Sequence, residues 1–289
     1  MPRVLLNLDV DDIERAVAFY TQAFELRVGR RFDGEFVELL GAEAPIYLLL
    51  KKATSAPLPS HRLPRGPNGS TLQAMKVIIT GVTGMVGEGV LLECLENLEV
   101  ERVLSVSRRP SGHVHPKLQE LLVPDFRELG AVEAQLNGYD ACFYCAGISS
   151  VGMSEADYTR ISYDTPVAFA ETLARLNPNL VLVHVSGSHT DGTEQGKVMW
   201  ARVKGKAENA LMRLPLRGVY NMRPSLMKPV RGQKNVKTAY RIMLVLYPIM
   251  NLFFPGLTLN QVGRAMIRCV REGAPKQVLE PADIKALAG

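Results

Sequence analysis

The chain has 289 residues, 47% hydrophobic and 22% charged, with a net charge of +5. This is globular composition with apolar mass for one large domain or two modest ones, and it excludes a disordered chain. No apolar run reaches the roughly 18 residues of a transmembrane helix, the first residues lack a signal peptide's apolar core, and cysteines 94, 142, 145 and 269 make no secreted disulfide framework.

A cytoplasmic setting is therefore expected. Residues 1–74 balance nine basic against nine acidic side chains, whereas 209–271 carries eleven Lys/Arg and no acid. A one-signed segment of that length suits an anionic cofactor, an anionic substrate or a lipid surface. No nucleic-acid partner is expected.

In chain order, Val4–Val10 reads as a strand with Leu6, Leu8 and Val10 alternating. Asp11 or Asp12 can cap a helix from Ile13 to about Phe24, with Ile13, Val17, Tyr20 and Phe24 on one stripe. Two strand-like runs follow, Glu35–Leu40 and Ile46–Leu50. The order βαββ, with Val10-Asp11-Asp12-Ile13-Glu14-Arg15-Ala16-Val17-Ala18-Phe19-Tyr20, resembles one module of the vicinal oxygen chelate (glyoxalase/bleomycin-resistance) superfamily over residues 3–52. That resemblance implies a module that closes a cleft only in pairs, which leaves three readings: a homodimerising module, an active half completed by pairing with another copy, or a fusion remnant. The position of the superfamily's first-strand metal ligand falls at Leu5, and Glu38 is the one carboxylate remaining. One carboxylate is not a metal site, so none is expected.

Residues 53–74 contain Pro57, Pro59, Pro64 and Pro67 with Gly66 and Gly69, which suits a linker. Beyond it, Val77-Ile78-Ile79 reads as a strand buried on both faces. It runs into Thr80-Gly81-Val82-Thr83-Gly84-Met85-Val86-Gly87 and a helix carrying Val90, Leu91, Cys94 and Leu95. Strand, glycine turn and helix occur in the order a dinucleotide site requires. The helix N-terminus offers free N–H groups to a pyrophosphate. A second strand, Arg102–Val106, ends at Ser107-Arg108-Arg109, where an NAD enzyme usually offers an acid to the ribose. Guanidinium groups there match a 2′-phosphate, so NADP is favoured over NAD.

Further strands are expected at Leu121–Val123 (before Asp125-Phe126), Ala141–Cys145 (before Ala146-Gly147) and Val181–Val185 (before Ser186). The alternation gives an α/β fold, a doubly wound parallel (Rossmann) sheet over residues 75–289 with a C-terminal substrate lobe at about 226–289. This combination resembles the extended or atypical short-chain dehydrogenase/reductases, the NAD(P)-dependent epimerase/dehydratase type. The matching segments are the TGxxGxxG turn at Thr80–Gly87, Asp125-Phe126, Cys145-Ala146-Gly147, Val203-Lys204-Gly205-Lys206-Ala207-Glu208 and Arg223-Pro224-Ser225. The resemblance implies cofactor contacts for Thr80, Gly81, Thr83, Gly84, Met85, Val86, Gly87, Arg108, Arg109, Asp125, Phe126, Cys145, Ala146, Gly147 and Lys204. It also implies hydride transfer at a carbonyl or alcohol.

Catalysis in that superfamily uses Ser, Tyr and Lys, with tyrosine and lysine one helical turn apart. Here the matching residues are Trp200 and Lys204. A phenol beside a lysine cation can pass a proton to a carbonyl; an indole N–H cannot. Ser186 and Ser188 can hold a substrate carbonyl. Tyr163, Tyr240 and Ser188 are alternative proton sources. The competing reading is a dinucleotide-binding redox sensor or scaffold without turnover.

Two weaker signals remain. Cys142-Phe143-Tyr144-Cys145 lies on a strand, so it reads as core packing rather than a redox pair. Ile242–Phe254 is a thirteen-residue apolar run broken by Pro248 and Asn251. It suits an apolar substrate lid, for a hydrophobic or anionic small molecule, or a peripheral membrane contact through residues 228–257.

Overall fold

The computed structural model describes residues 6–10, 12–24, 26–32, 36–40, 46–50, 74–236 and 256–289. Leu5, most of the 53–74 segment, Tyr240 and the 242–254 run lie outside them. The chain divides into two compact units, Met1–Arg62 and Leu63–Gly289.

Among the described residues, the first unit has five elements: β1 (Leu6–Val10), α1 (Ile13–Phe24), β2 (Arg27–Phe32), β3 (Phe36–Leu40) and β4 (Ile46–Leu50). Asp12 caps α1, its Oδ1 accepting the Arg15 amide at 3.0 Å. Ile13 and Val17 pack on Leu26, Val37 and Leu39. The sheet order is β1-β4-β3-β2, with β1 and β4 parallel and the other pairs antiparallel. The unit is thus βαβββ, one strand more than the expected βαββ. The added strand β2 is an edge whose residues 27–31 are exposed, three of them arginines. Charge of that kind protects a sheet edge and hides the apolar alternation that marks a strand. Glu38 is buried in β3 and pairs with Arg30 Nε at 3.1 Å, so an arginine already takes this carboxylate.

The second unit is built on a seven-stranded sheet in the order β13-β10-β9-β8-β5-β6-β7, with every pair parallel. Its strands are β5 (Met75–Thr80), β6 (Val100–Ser107), β7 (Leu118–Leu122), β8 (Ala141–Tyr144), β9 (Val181–Val185), β10 (Gly218–Met222) and β13 (Val278–Leu279). The helices are α2 (Met85–Glu96), α3 (Glu133–Leu136), α4 (Glu155–Thr159), α5 (Thr165–Leu176), α6 (Met199–Met212), α7 (Leu259–Arg271) and α8 (Pro281–Ala288). A two-strand ribbon pairs β11 (Met227–Lys228) with β12 (Leu257–Thr258).

Side-chain alternation along β5 decides both cores. Val77 and Ile79 face α2 and α7, in a cluster with Val90, Leu91, Val262 and Met266. Ile78 faces the other way, into a cluster with Phe169 of α5 and Leu211 of α6. With both faces covered, all three side chains are fully buried. This is the doubly wound sheet that the continuous apolar strand predicts.

Residues 259–289 differ from the expected lobe. The apolar stripe Val262, Ala265, Met266 and Cys269 of α7 packs into the sheet core, and β13 adds a strand beside β10. The C-terminal segment therefore completes the Rossmann body.

Candidate functional site

Strand order reverses at β5: β6 and β7 lie on one side, β8, β9, β10 and β13 on the other. Ligands in such sheets bind beyond the carboxyl ends of the strands at this switch point. A cavity of about 450 Å³ opens there. Its lining includes Gly81, Thr83 and Gly84 from the β5–α2 turn and Ser107 and Arg108 from the end of β6. Pro124, Asp125, Phe126 and Arg127 also line it, as do Tyr144 at the end of β8 and Cys145 to Ile148 after it.

The turn is held by backbone geometry. Gly81 has φ +72°, and a Cβ there would lie 2.6 Å from the Ala146 nitrogen. A Cβ on Gly87 would collide with the Gly81 carbonyl. Both glycines are therefore demanded by the protein itself. Gly84 is different: it is exposed, and a Cβ would meet only the Gly81 oxygen, at 3.4 Å. Nothing else among the described residues crowds this position; a ligand approaching the backbone would. Gly84 is also the N-cap of α2 and brings no capping side chain, which leaves first-turn N–H groups for an anion. The glycine turn and its open face fit a dinucleotide.

Thr80 stands one step behind. Its Oγ1 accepts the amides of Cys145 and Ala146 at 3.1 and 3.2 Å, fastening the β8 turn to the β5 turn. Cys145 is a free thiol that burial pushes up to about 12, and Cys142 is raised by burial as well, so neither is primed for redox chemistry.

Arg108 borders the cavity; Arg109 does not, and its carbonyl accepts the Ser107 hydroxyl at 2.6 Å. Met85, Val86 and Gly87 lie in or beside α2 rather than in the cavity lining. Asp125 accepts the Arg127 amide at 2.9 Å and its Nε at 3.1 Å. The guanidinium holds the Asp125 carboxyl down at about 2.

Sequence reasoning missed Arg127, Arg160, Ile161 and Thr165, which also line the cavity. Arg160 and Ile161 belong to a π-helical turn, Arg160–Asp164, set between α4 and α5. One inserted residue there re-aims both side chains, and such turns recur at functional sites. Spacing from the glycines carries no trace of it; a π insertion is decided by packing.

A second group of candidate residues follows β9; Ser186, Ser188, Trp200 and Lys204 are not part of the cavity lining. The Ser186 hydroxyl is buried and lies 3.1 Å from that of Thr190, while the Ser188 hydroxyl lies 2.9 Å from His189 Nδ1. His189 has φ +65°, uncommon for a side-chain-bearing residue. Lys204 and Trp200 on α6 both reach this turn: a Cβ on Gly187 would lie 3.6 Å from Lys204 Cδ and 3.8 Å from Trp200 Cζ3. Tyr163 is covered by the Lys206 ammonium, 4.3 Å from its ring centre. Burial lowers the pKa of Lys204, against the opposing pull of Glu208. Glu208 in turn receives Arg223 Nε at 3.0 Å, and Arg223 reaches Glu280 at 3.2 Å. The motif residues Glu208 and Arg223 thus clasp α6 to the end of β10.

Behind them, His184 on β9 pairs with Asn221 on β10, Nδ1 to Oδ1 at 2.9 Å. Burial presses the imidazole down to about 3, so it is neutral.

Residues 77–206 match the NAD dependent epimerase/dehydratase family. No curated protein matches the chain. Among solved structures, the Bordetella bronchiseptica enzyme WbmF in complex with NAD+ is 18% identical, with TM-score 0.55 over 76% of this chain and 78% of that one. Glucuronic acid dehydrogenase from Chromohalobacter salexigens is 15% identical, with TM-score 0.53 over 71% and 76%. UDP-glucuronic acid 4-epimerase from Bacillus cereus in complex with NAD is 13% identical, with TM-score 0.52 over 71% and 76%. At these identities the likeness is one of fold.

Proposed function

We propose that the second unit binds a nicotinamide dinucleotide and is an oxidoreductase of the epimerase/dehydratase type, acting on a carbonyl or alcohol substrate. The observation that carries this reading is the cavity at the switch point, bordered by Gly84, where an added Cβ would meet the Gly81 oxygen alone among the described residues. The dinucleotide, when bound, supplies or accepts a hydride. The chain's own residues do the rest. Gly81, Thr83 and Gly84 bring backbone to the diphosphate, and Thr80 fixes the opposite wall. Arg108 favours NADP, because no acid stands beside it at the end of β6. Ser186 orients a carbonyl oxygen. Lys204, with its pKa lowered by burial, holds the proton the missing phenol would have given. Ile148 and Ile161 at the cavity suit a substrate with an apolar portion.

Trp200 favours a second reading, dinucleotide binding without turnover, because an indole exchanges no proton at accessible pH. Titration with NADPH and NADH, followed by the fluorescence of the single tryptophan, tests binding. Cofactor oxidation over a carbonyl panel tests turnover. Binding with turnover supports the first reading, and binding alone supports the second. No binding of either nucleotide overturns both.

A further inference from the structure

Glu88 directly follows the third glycine of the turn, and its side chain is fully buried. An ionised carboxylate is held in such a place only by donors that replace its water. Glu88 has three. The backbone amides of Lys234 and Asn235 donate to Oε1 and Oε2, each at 2.7 Å, and His113 Nε2 lies 2.8 Å from Oε1. Burial pushes the carboxyl's pKa up, and these donors together outweigh it, leaving it below the ordinary value.

The donors come from two other segments. Lys234 and Asn235 belong to the strap that follows β11, residues 229–236. Gln233 of the same strap donates Nε2 to the carbonyl of Met85, the first residue of α2, at 2.6 Å. His113 belongs to the loop after β6; Ser107, the last residue of β6, and Arg108, the first of the loop, border the cavity. Lys234 Nζ closes the triangle, donating to Gly112 O at 2.7 Å. One carboxylate thus stands where the glycine turn, the arginine loop and the strap meet. A solvated helix face would not bury an acid there, and an apolar residue would leave two amides without acceptors.

We propose that Glu88 is a positioning residue that fastens the strap to the first turns of α2 and to the arginine loop, so that a dinucleotide at the glycine turn steadies the strap through it. The coupling rests on the dinucleotide reading above; the fastening does not.

Limited trypsin digestion of the full chain, read peptide by peptide by mass spectrometry, tests both. Arg231–Gly232 and Lys234–Asn235 are the cleavable bonds of the strap; Lys228 precedes proline and resists. Without nucleotide, Glu88→Ala is expected to speed cleavage at these two bonds about tenfold or more. His113→Ala, which removes one donor of three, speeds it about threefold by the same argument. Saturating NADPH slows strap cleavage in the unaltered chain. In Glu88→Ala, NADPH still quenches the tryptophan but no longer protects the strap, a separation that general loosening would not produce. Unchanged strap cleavage in a folded Glu88→Ala, or NADPH protection retained there, overturns the proposal. Should Glu88→Ala fail to fold, His113→Ala and Glu88→Gln decide, with native cleavage rates in both counting against it. Absence of nucleotide binding in the unaltered chain defeats the functional reading and the coupling, while the nucleotide-free rates still judge the fastening.

Discussion

The β5–α2 turn, which lines the cavity, and the β9–α6 connection, which does not, are held in different ways. The first is a backbone structure: Gly81 and Gly87 fit where no side chain can, and Thr80 ties the turn to its neighbour. The second is held by side chains. The Ser186–Thr190 hydroxyl pair, the Glu208–Arg223 clasp and the His184–Asn221 pair set where Lys204 and Trp200 stand. A backbone site tolerates sequence change everywhere except at its glycines. A side-chain site can lose one group and keep its frame, which is the condition that the proposed reading of Trp200 requires.

The largest expected effect breaks that contrast at its weakest point. Trp200→Tyr restores a phenol one helical turn from Lys204, and turnover on a carbonyl substrate is expected to rise about 10²–10⁴-fold, measured by NADPH oxidation. An unchanged rate would mean that the frame around α6 has also lapsed. Glu208→Ala leaves the largely buried Arg223 guanidinium with Glu280 as its one remaining carboxylate among the described residues. A loss of about 3–5 kcal/mol is expected in denaturant unfolding.

The glycines sharpen the comparison. Gly87→Ala should cost about 1–3 kcal/mol because α2 must shift away from Gly81. Gly84→Ala should change stability by less than about 0.5 kcal/mol while weakening nucleotide binding. Equal destabilisation by the two would remove the argument that a ligand explains Gly84.

The pH dependence of stability separates the two regions further. His184 has a folded pKa of about 3, below its unfolded value, so its contribution is complete above about 6.5 and is lost as pH falls toward the folded value. Stability should fall by at most about 1.4 kcal/mol per unit across that window, and His184→Gln should flatten the slope. Near the turn, Asp125 is held at about 2 by Arg127, so its contribution is present above about 3.9 and is lost as pH falls toward 2. That pair is partly exposed, and Arg127→Ala should change stability little while returning the Asp125 titration seen by NMR to its ordinary range.

The sheet, the glycine turn and the spacing of the candidate residues on α6 can all be read along the chain. The apolar strand Val77–Ile79, the glycine spacing and the Trp200–Lys204 interval are local patterns, and local patterns survive in one dimension. Only the tertiary structure decided which arginines border the cavity, that residues 259–289 complete the sheet, and that β2 forms an arginine-rich edge. It also decided what a glutamate beside a glycine is for. Glu88 meets partners 25, 146 and 147 residues away, and a hydrogen bond across such a distance leaves no periodic mark on the chain, because its partners are chosen by packing.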